Sequence, residues 1–269
     1  MKTNYNNEVM YLTFPALEEY PELIHAMSTR EGGVSTGYFS SMNLGVKTDD
    51  DPEKIRKNYD LFSEAIGIKT DSIVLGNLTH SDNVRVVTST EDCGCGITKP
   101  FNYEDVDALV TNVPGVILAV TIADCVPVYF YDPVHKACGI AHSGWKGTAN
   151  EISQKVVTAM EENYGTNPED LICGIGACIG MCCYEVSQDV FEEFIEFDYL
   201  DEAWFFDKEN GKFDIDLSRI IFGTLAYAGV NPDNIHISGL CTSCNSDILF
   251  SHRASHGKRG TMAAVIGIK

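Results

Sequence analysis

Cys125 and His142 flank a stretch, Val126 to Ala141, that is mostly apolar and β-branched and is broken once, by Asp132-Pro133-Val134-His135. Asp followed by Pro is the signature of a type I turn. A turn centred between Pro133 and Val134 predicts a hairpin in which Cys125 faces His142, with Cβ atoms about 5 Å apart. A thiolate and an imidazole at that distance can share one metal ion or act as nucleophile and base. Pro127 cannot donate to a strand ladder, so an edge or a bulge is expected there. Asp124 points to the opposite face if residues 124–126 are extended, which suits a supporting acid better than a ligand.

The chain has seven histidines, so few can join this pair. His135 lies in the turn and His256 in a loop among Ser, Gly and Lys, and both read as solvated. His80 follows a predicted strand and opens the polar run Ser81-Asp82-Asn83. One Cys and two His with an open fourth position form a known catalytic zinc set, and imidazole with thiolate also suits copper. Candidate anion binders surround them. Ser143-Gly-Trp-Lys-Gly-Thr148 leads into a predicted helix, and a helix start preceded by glycine offers N–H groups to an anion. Lys146, Arg253 in Phe250-Ser-His-Arg253, and Arg30 in the glycine-rich run Arg30 to Gly37 could add charge.

Most of the ten cysteines read as small buried hydrophobes, Cys138 inside a predicted strand above all. Cys241-Thr-Ser-Cys244 has metal or redox spacing and, with Cys182-Cys183, could form a second structural site.

The elements that must position these residues are legible from punctuation and periodicity. Strands are predicted over residues 8–14, 23–29, 72–78, 83–88, 107–111, 115–123, 171–175, 204–206 and 234–239, besides the hairpin. Helices are predicted over 52–66, with Asp51 before Pro52, and over 148–163, 187–197 and 216–228. Residues 152, 156, 157 and 160 form the apolar stripe of the second. Many strands mixed with several helices argue for an α+β domain of stacked layers. With 269 residues and neither linker nor repeat, one domain spanning 1–269 is the simplest expectation. The formal charge of −20 disfavours nucleic acid polymers and anionic membranes as partners. No apolar run approaches a membrane span, the first residues lack a signal-peptide core, and a cytoplasmic location with reduced thiols is expected.

Several motifs together resemble one family, the laccase-domain or multicopper polyphenol oxidase-like proteins of the YfiH/YlmD type. They are Leu78-Thr-His80, Ala123-Asp-Cys-Val-Pro127 and His142-Ser-Gly-Trp-Lys-Gly147, with Thr29 to Val34, Met42-Asn-Leu-Gly45, Asp107-Ala-Leu-Val110, Gly176 to Gly180 before Tyr184-Glu-Val186, Cys241-Thr242 and Phe250 to Arg253. They run in order through nearly the whole chain. The resemblance implies a single-domain four-layer αββα sandwich with mixed β-sheets. It implies one zinc on His80, Cys125 and His142, with copper as the alternative. It also implies small-molecule partners: purine nucleosides and phosphate, with phosphorolysis of adenosine, inosine and methylthioadenosine and deamination of adenosine. Arg30, Asn43, Lys146 and Arg253 are the substrate and phosphate binders expected, Arg30 also as a catalytic group, in a monomer or homodimer. The chain departs from the family at Leu78, usually Gln, and at Thr79, Ser143 and Ala177; the first could alter a contact behind the metal and substrate preference.

Other chemistries compete. A four-copper oxidase needs about ten histidines, many in His-x-His pairs; seven, with no such pair, disfavour it. A metal-free cysteine hydrolase with Cys125 as nucleophile and His142 as base remains open, as does a non-catalytic role in storing metal or binding a partner. A second nearby histidine, His80, favours metal.

Overall fold

Local signals in the sequence set the element boundaries. The Asp51 side chain caps the helix that Pro52 opens by accepting from Glu53 N–H, and Gly67 ends it in the left-handed region, φ 75°. The structure is a computed structural model and describes residues 1–269. In chain order it contains β1 (Lys2–Asn6), β2 (Val9–Thr13), α1 (Pro15–Glu18), β3 (Leu23–Ser28), α2 (Pro52–Ile66), β4 (Ile73–Leu75), β5 (Val84–Val86), β6 (Ala108–Thr111), β7 (Ile117–Ile122), β8 (Val126–Asp132) and β9 (Ala137–Ser143). There follow α3 (Trp145–Ala149), α4 (Ile152–Tyr164), β10 (Ile172–Ile175), β11 (Glu185–Ser187), α5 (Gln188–Glu192), β12 (Phe205–Asp207), β13 (Lys212–Ile215), α6 (Leu217–Tyr227), β14 (Ile235–Ile237) and β15 (Met262–Ile268).

Two six-stranded mixed sheets dominate, ordered β1-β2-β3-β15-β7-β4 and β14-β10-β8-β9-β6-β5, and a small antiparallel sheet β11-β13-β12 lies apart. Side-chain alternation shows how they stack. On β8, Tyr129 and Tyr131 join Leu118, Val120 and Ile266 of the first sheet, while Val128 and Phe130 join Val156 and Met160 of α4 and Ile221 of α6. The other face of the first sheet, with Ala119 and Val265, packs on Tyr59 and Phe62 of α2. The order of layers is therefore helix, sheet, sheet, helix, in an α+β domain. Every residue of β8 and β9 is buried, because both faces of their sheet are covered. No helix is long and apolar enough to cross a membrane.

The hairpin differs from its expected register. Asp132 pairs with Ala137 and Pro127 with His142, a shift of two residues. The cause is a longer turn. Asp132 Oδ1 accepts from Val134 N and His135 N, and Lys136 adds a left-handed residue, φ 53°, before β9 resumes. A two-residue shift preserves the faces, so Cys125 and His142 still project to the same side. Nor does Pro127 mark an edge or a bulge: β8 is central. Its ladder with β10 ends at Val128 opposite Ile175, and just beyond it the Pro127 carbonyl accepts from Gly176 N (2.9 Å) while the Pro127 ring lies against Gly176, which has no Cβ to meet it. The helix expected from Thr148 is split into α3 and α4 by Glu151, φ 55°, and the helix expected over 187–197 shrinks to the single turn and a half of α5. β1, β11, β13 and the central strand β15 lie outside the predicted strands.

Candidate metal centre

The site lies at the open end of the layer between the two large sheets. His142 continues the β9 face of Cys138 and Ile140, which points at the first sheet. Cys125 stands just before β8, in the bend made by Asp124 at φ 86°. His80 arrives on the loop after β4, in the left-handed region, φ 64°. The ligand atoms of His80, Cys125 and His142 all lie within 4.8 Å of one another. The two rings meet edge to face, with centroids 4.9 Å apart. Gly144 permits this approach, since a Cβ there would stand 2.9 Å from His80 Nδ1 and 3.2 Å from Cys125 Sγ.

Asp107, wholly buried at the start of β6, organises two of the three. Its carboxylate accepts from Thr79 N (2.9 Å), His80 N (3.1 Å) and Ser81 N (3.0 Å), which holds the His80 loop. It also lies 2.8 Å from His142 Nδ1. That contact engages Nδ1 with a carboxylate and leaves Nε2 as the nitrogen available to a metal, an arrangement typical of a histidine that ligates metal. Burial opposes the charge on Asp107, but the His142 ring and the Thr79 and Ser81 amides outweigh it and hold its pKa down at about 2. Burial likewise works against charge on Cys125 and His142. The attraction between them wins, so the thiol is lowered and the imidazole raised. Two imidazoles and an activated thiolate form a donor set suited to zinc or copper.

The three residues open onto a cleft with a cavity volume of about 250 Å³. Leu75, Leu78 and Ile122 supply apolar walls, and Lys47, whose Nζ donates to the Leu78 carbonyl at 2.9 Å, and Arg259 supply positive charge. Arg259 Nη1 donates to Thr261 Oγ1 (3.0 Å), and its Nε is buried without a hydrogen-bond partner.

The expected anion binders lie elsewhere. Arg30 donates to the carbonyls of Ser40 and Ser246 and covers Phe250. Arg253 donates to the carbonyls of Cys183 and Glu185 beside Tyr184. Lys146 is exposed over Trp145. Asn43 is buried, bonding Thr48, Asp50, Gly45 N and Thr261 N. None of the four lines the cleft. Asp124 turns away from the centre, accepting from Thr242 Oγ1 and Arg253 N. Sequence reasoning missed Asp107, Lys47 and Arg259 as site residues. Asp107 and Lys47 stand in or beside noted motifs, but nothing local marks Arg259, just ahead of β15.

Comparison with known proteins agrees with this fold. The family model described as "Multi-copper polyphenol oxidoreductase laccase" matches residues 24–269. "Purine nucleoside phosphorylase YlmD" of Bacillus subtilis is 33% identical over 92% of this chain and 89% of its own. A "Purine nucleoside phosphorylase" of Bacteroides thetaiotaomicron is 31% identical over 96% of each. The crystal structure of Bacillus licheniformis protein YfiH superposes with a TM-score of 0.91 at 32% identity, covering 98% of this chain and 97% of that one. With a family match spanning nearly all its length and relatives of the same fold and size, this chain belongs to the multi-copper polyphenol oxidoreductase laccase family, of which YfiH and YlmD are similar members.

Proposed function

We propose that this protein is a zinc-dependent purine nucleoside phosphorylase acting on adenosine, inosine and methylthioadenosine, with deamination of adenosine in the same cleft. The observation that carries the reading is the convergence of His80, Cys125 and His142 beside a cleft with two cations. The names of the relatives support the phosphorylase half. When bound, zinc supplies a Lewis acid that polarises an oxygen of substrate or water. His80, Cys125 and His142 hold it, and Asp107 keeps the His142 ring oriented. Lys47 and Arg259 hold phosphate facing C1′ of the ribose. There the bond from C1′ to the purine nitrogen breaks, a bond from C1′ to a phosphate oxygen forms, and the purine leaves with a proton. Leu75, Leu78 and Ile122 pack against the flat base and exclude water from it.

The name of the family suggests copper oxidation instead, and the histidine inventory argues against several coppers. His25 accepts from Phe14 N, His135 is bonded to Asp132, and the groups able to hold a metal include only two histidines. Ten free thiols suit a reducing cytoplasm.

The test is metal analysis of chelator-free protein together with assays of adenosine, with and without phosphate, for adenine and ammonia. Cys125→Ser should lose both zinc and turnover, since a hydroxyl is a poor zinc ligand at neutral pH. A slow chelator should silence the wild type and zinc restore it. Activity that persists in metal-free protein, yet vanishes on alkylation of Cys125, would overturn the assignment in favour of covalent catalysis.

A further inference from the structure

A second group of donors lies outside the cleft. The loop after Ile179 carries Cys182 and Cys183, and the turn after Leu240 carries Cys241 and Cys244. The four Sγ atoms lie within 4.8 Å of one another. Cys244 Sγ stands 3.5 Å from both Cys182 Sγ and Cys183 Sγ. Four thiolates placed tetrahedrally around one zinc, with Zn–S about 2.3 Å, would be about 3.8 Å apart. The observed spacing is therefore that of a single ion. A polynuclear cluster would separate its thiolates further, because several metal atoms stand between them.

The backbone is already arranged for charge on sulfur. Cys241 Sγ accepts from Gly180 N at 3.2 Å and from Cys244 N at 3.5 Å. The second bond closes the Cys-x-x-Cys turn on its own first ligand, and N–H groups aimed at sulfur favour the thiolate. Gly180 eases this approach, since a Cβ there would stand 3.2 Å from Cys241 Cβ and 3.4 Å from Cys182 Sγ. None of the four thiols serves the cleft.

We propose that Cys182, Cys183, Cys241 and Cys244 form a structural four-cysteine zinc site, separate from the centre at His80, Cys125 and His142. Its chemistry balances simply: four thiols release four protons and bind one Zn²⁺. All four positions around the ion are filled by protein, so this site anchors chain and has no room for substrate. What it anchors is the support of the catalytic bend. Thr242, between the two cysteines of the turn, donates to Asp124 next to Cys125, and Arg253 ties its guanidinium to the Cys183 carbonyl while its N–H reaches Asp124. The ion would clip together two segments far apart in sequence, stabilising against the entropy of opening the loop between them.

The experiment uses full-length protein purified reduced, without chelator or affinity metal, with zinc per chain measured by elemental analysis and native mass spectrometry. Two equivalents are expected in the wild type, and one each in Cys244→Ser, Cys182→Ser and His80→Ala, with a lowered Tm in the cysteine variants alone. Should a cysteine variant fail to fold, Co²⁺ replacement in the wild type decides. Two cobalt ions with thiolate-to-cobalt absorption from five sulfurs are expected. A single equivalent lost in Cys244→Ser but kept in His80→Ala would support this site and sink the other. A single equivalent lost in His80→Ala, or disulfides joining these cysteines in the freshly purified protein, would overturn the proposal.

Discussion

Asp107 shows how one residue can decide a site without reaching it. Its carboxylate holds three amides of the His80 loop and the His142 ring, so Asp107→Asn removes the charge that both need. Loss of such support behind a ligand costs about 10- to 100-fold in metal affinity. Competition with a calibrated chelator should show a fall of that order, and an affinity equal to wild type would refute the role. The cations divide by their partners. Arg259 lines the cleft with its Nη1 donating to Thr261 Oγ1 and its Nε without a partner, whereas both ends of the Arg253 fork are bound to carbonyls away from the cleft. Arg259→Ala should therefore raise KM for phosphate about tenfold or more, the loss of one charge-assisted bond, with KM for nucleoside little changed. Arg253→Ala should lower Tm and leave KM for phosphate near wild type. The reverse pattern would return phosphate binding to Arg253, where the sequence motif places it.

At the scale of elements, the joint between β9 and α3 is the tightest constraint on the centre. The chain passes from His142 through Ser143 into Gly144, whose missing side chain leaves room for His80 and Cys125. Gly144 has φ −72°, a conformation open to any residue, so alanine would bring a steric effect without backbone strain. Gly144→Ala should leave the far-ultraviolet spectrum unchanged and sharply reduce zinc bound at the His80 centre. Full retention of that zinc would show that the loop of His80 gives way easily. The same joint explains why a hairpin register wrong by two residues still identifies the ligands. Strand faces repeat every second residue, so the error moves Cys125 along the sheet without turning it over.

At the scale of the whole molecule, the layer between the sheets has a cost in acid. His25 on β3 is buried against Tyr129, and its Nε2 accepts from Phe14 N, which requires a neutral ring. Burial lowers its pKa from 6.5 to about 4, with Glu18 opposing only in part. The unfolded chain thus binds more protons between those two values, so the stability due to neutral His25 is complete above pH 6.5 and is lost as pH falls toward 4. The loss amounts to about 3 kcal/mol at most. Urea unfolding at pH 7.5, 6 and 5 should show wild type losing more stability than His25→Gln over this interval. Parallel pH profiles would mean that the ring is protonated in the fold.

Residue order alone was enough for what depends on near neighbours. The helix at Pro52 declares itself because Asp51 caps it, and the buried stripe of α4 because apolar residues recur at helical spacing. That Cys125 and His142 share one face was legible, though not their register, because a hairpin joins residues close in sequence. His80 joined them by a motif match. Tertiary structure decided what comes from distant chain. β15 enters the middle of the first sheet between β3 and β7, which no local pattern announces. Arg259, just ahead of it, reaches the cleft for the same reason, while Arg30 is drawn off by the carbonyls of Ser40 and distant Ser246, and Arg253 by carbonyls more than sixty residues away. A side chain's charge is written in the sequence, but whether that charge is free for a ligand depends on which backbone oxygens the fold brings within its reach.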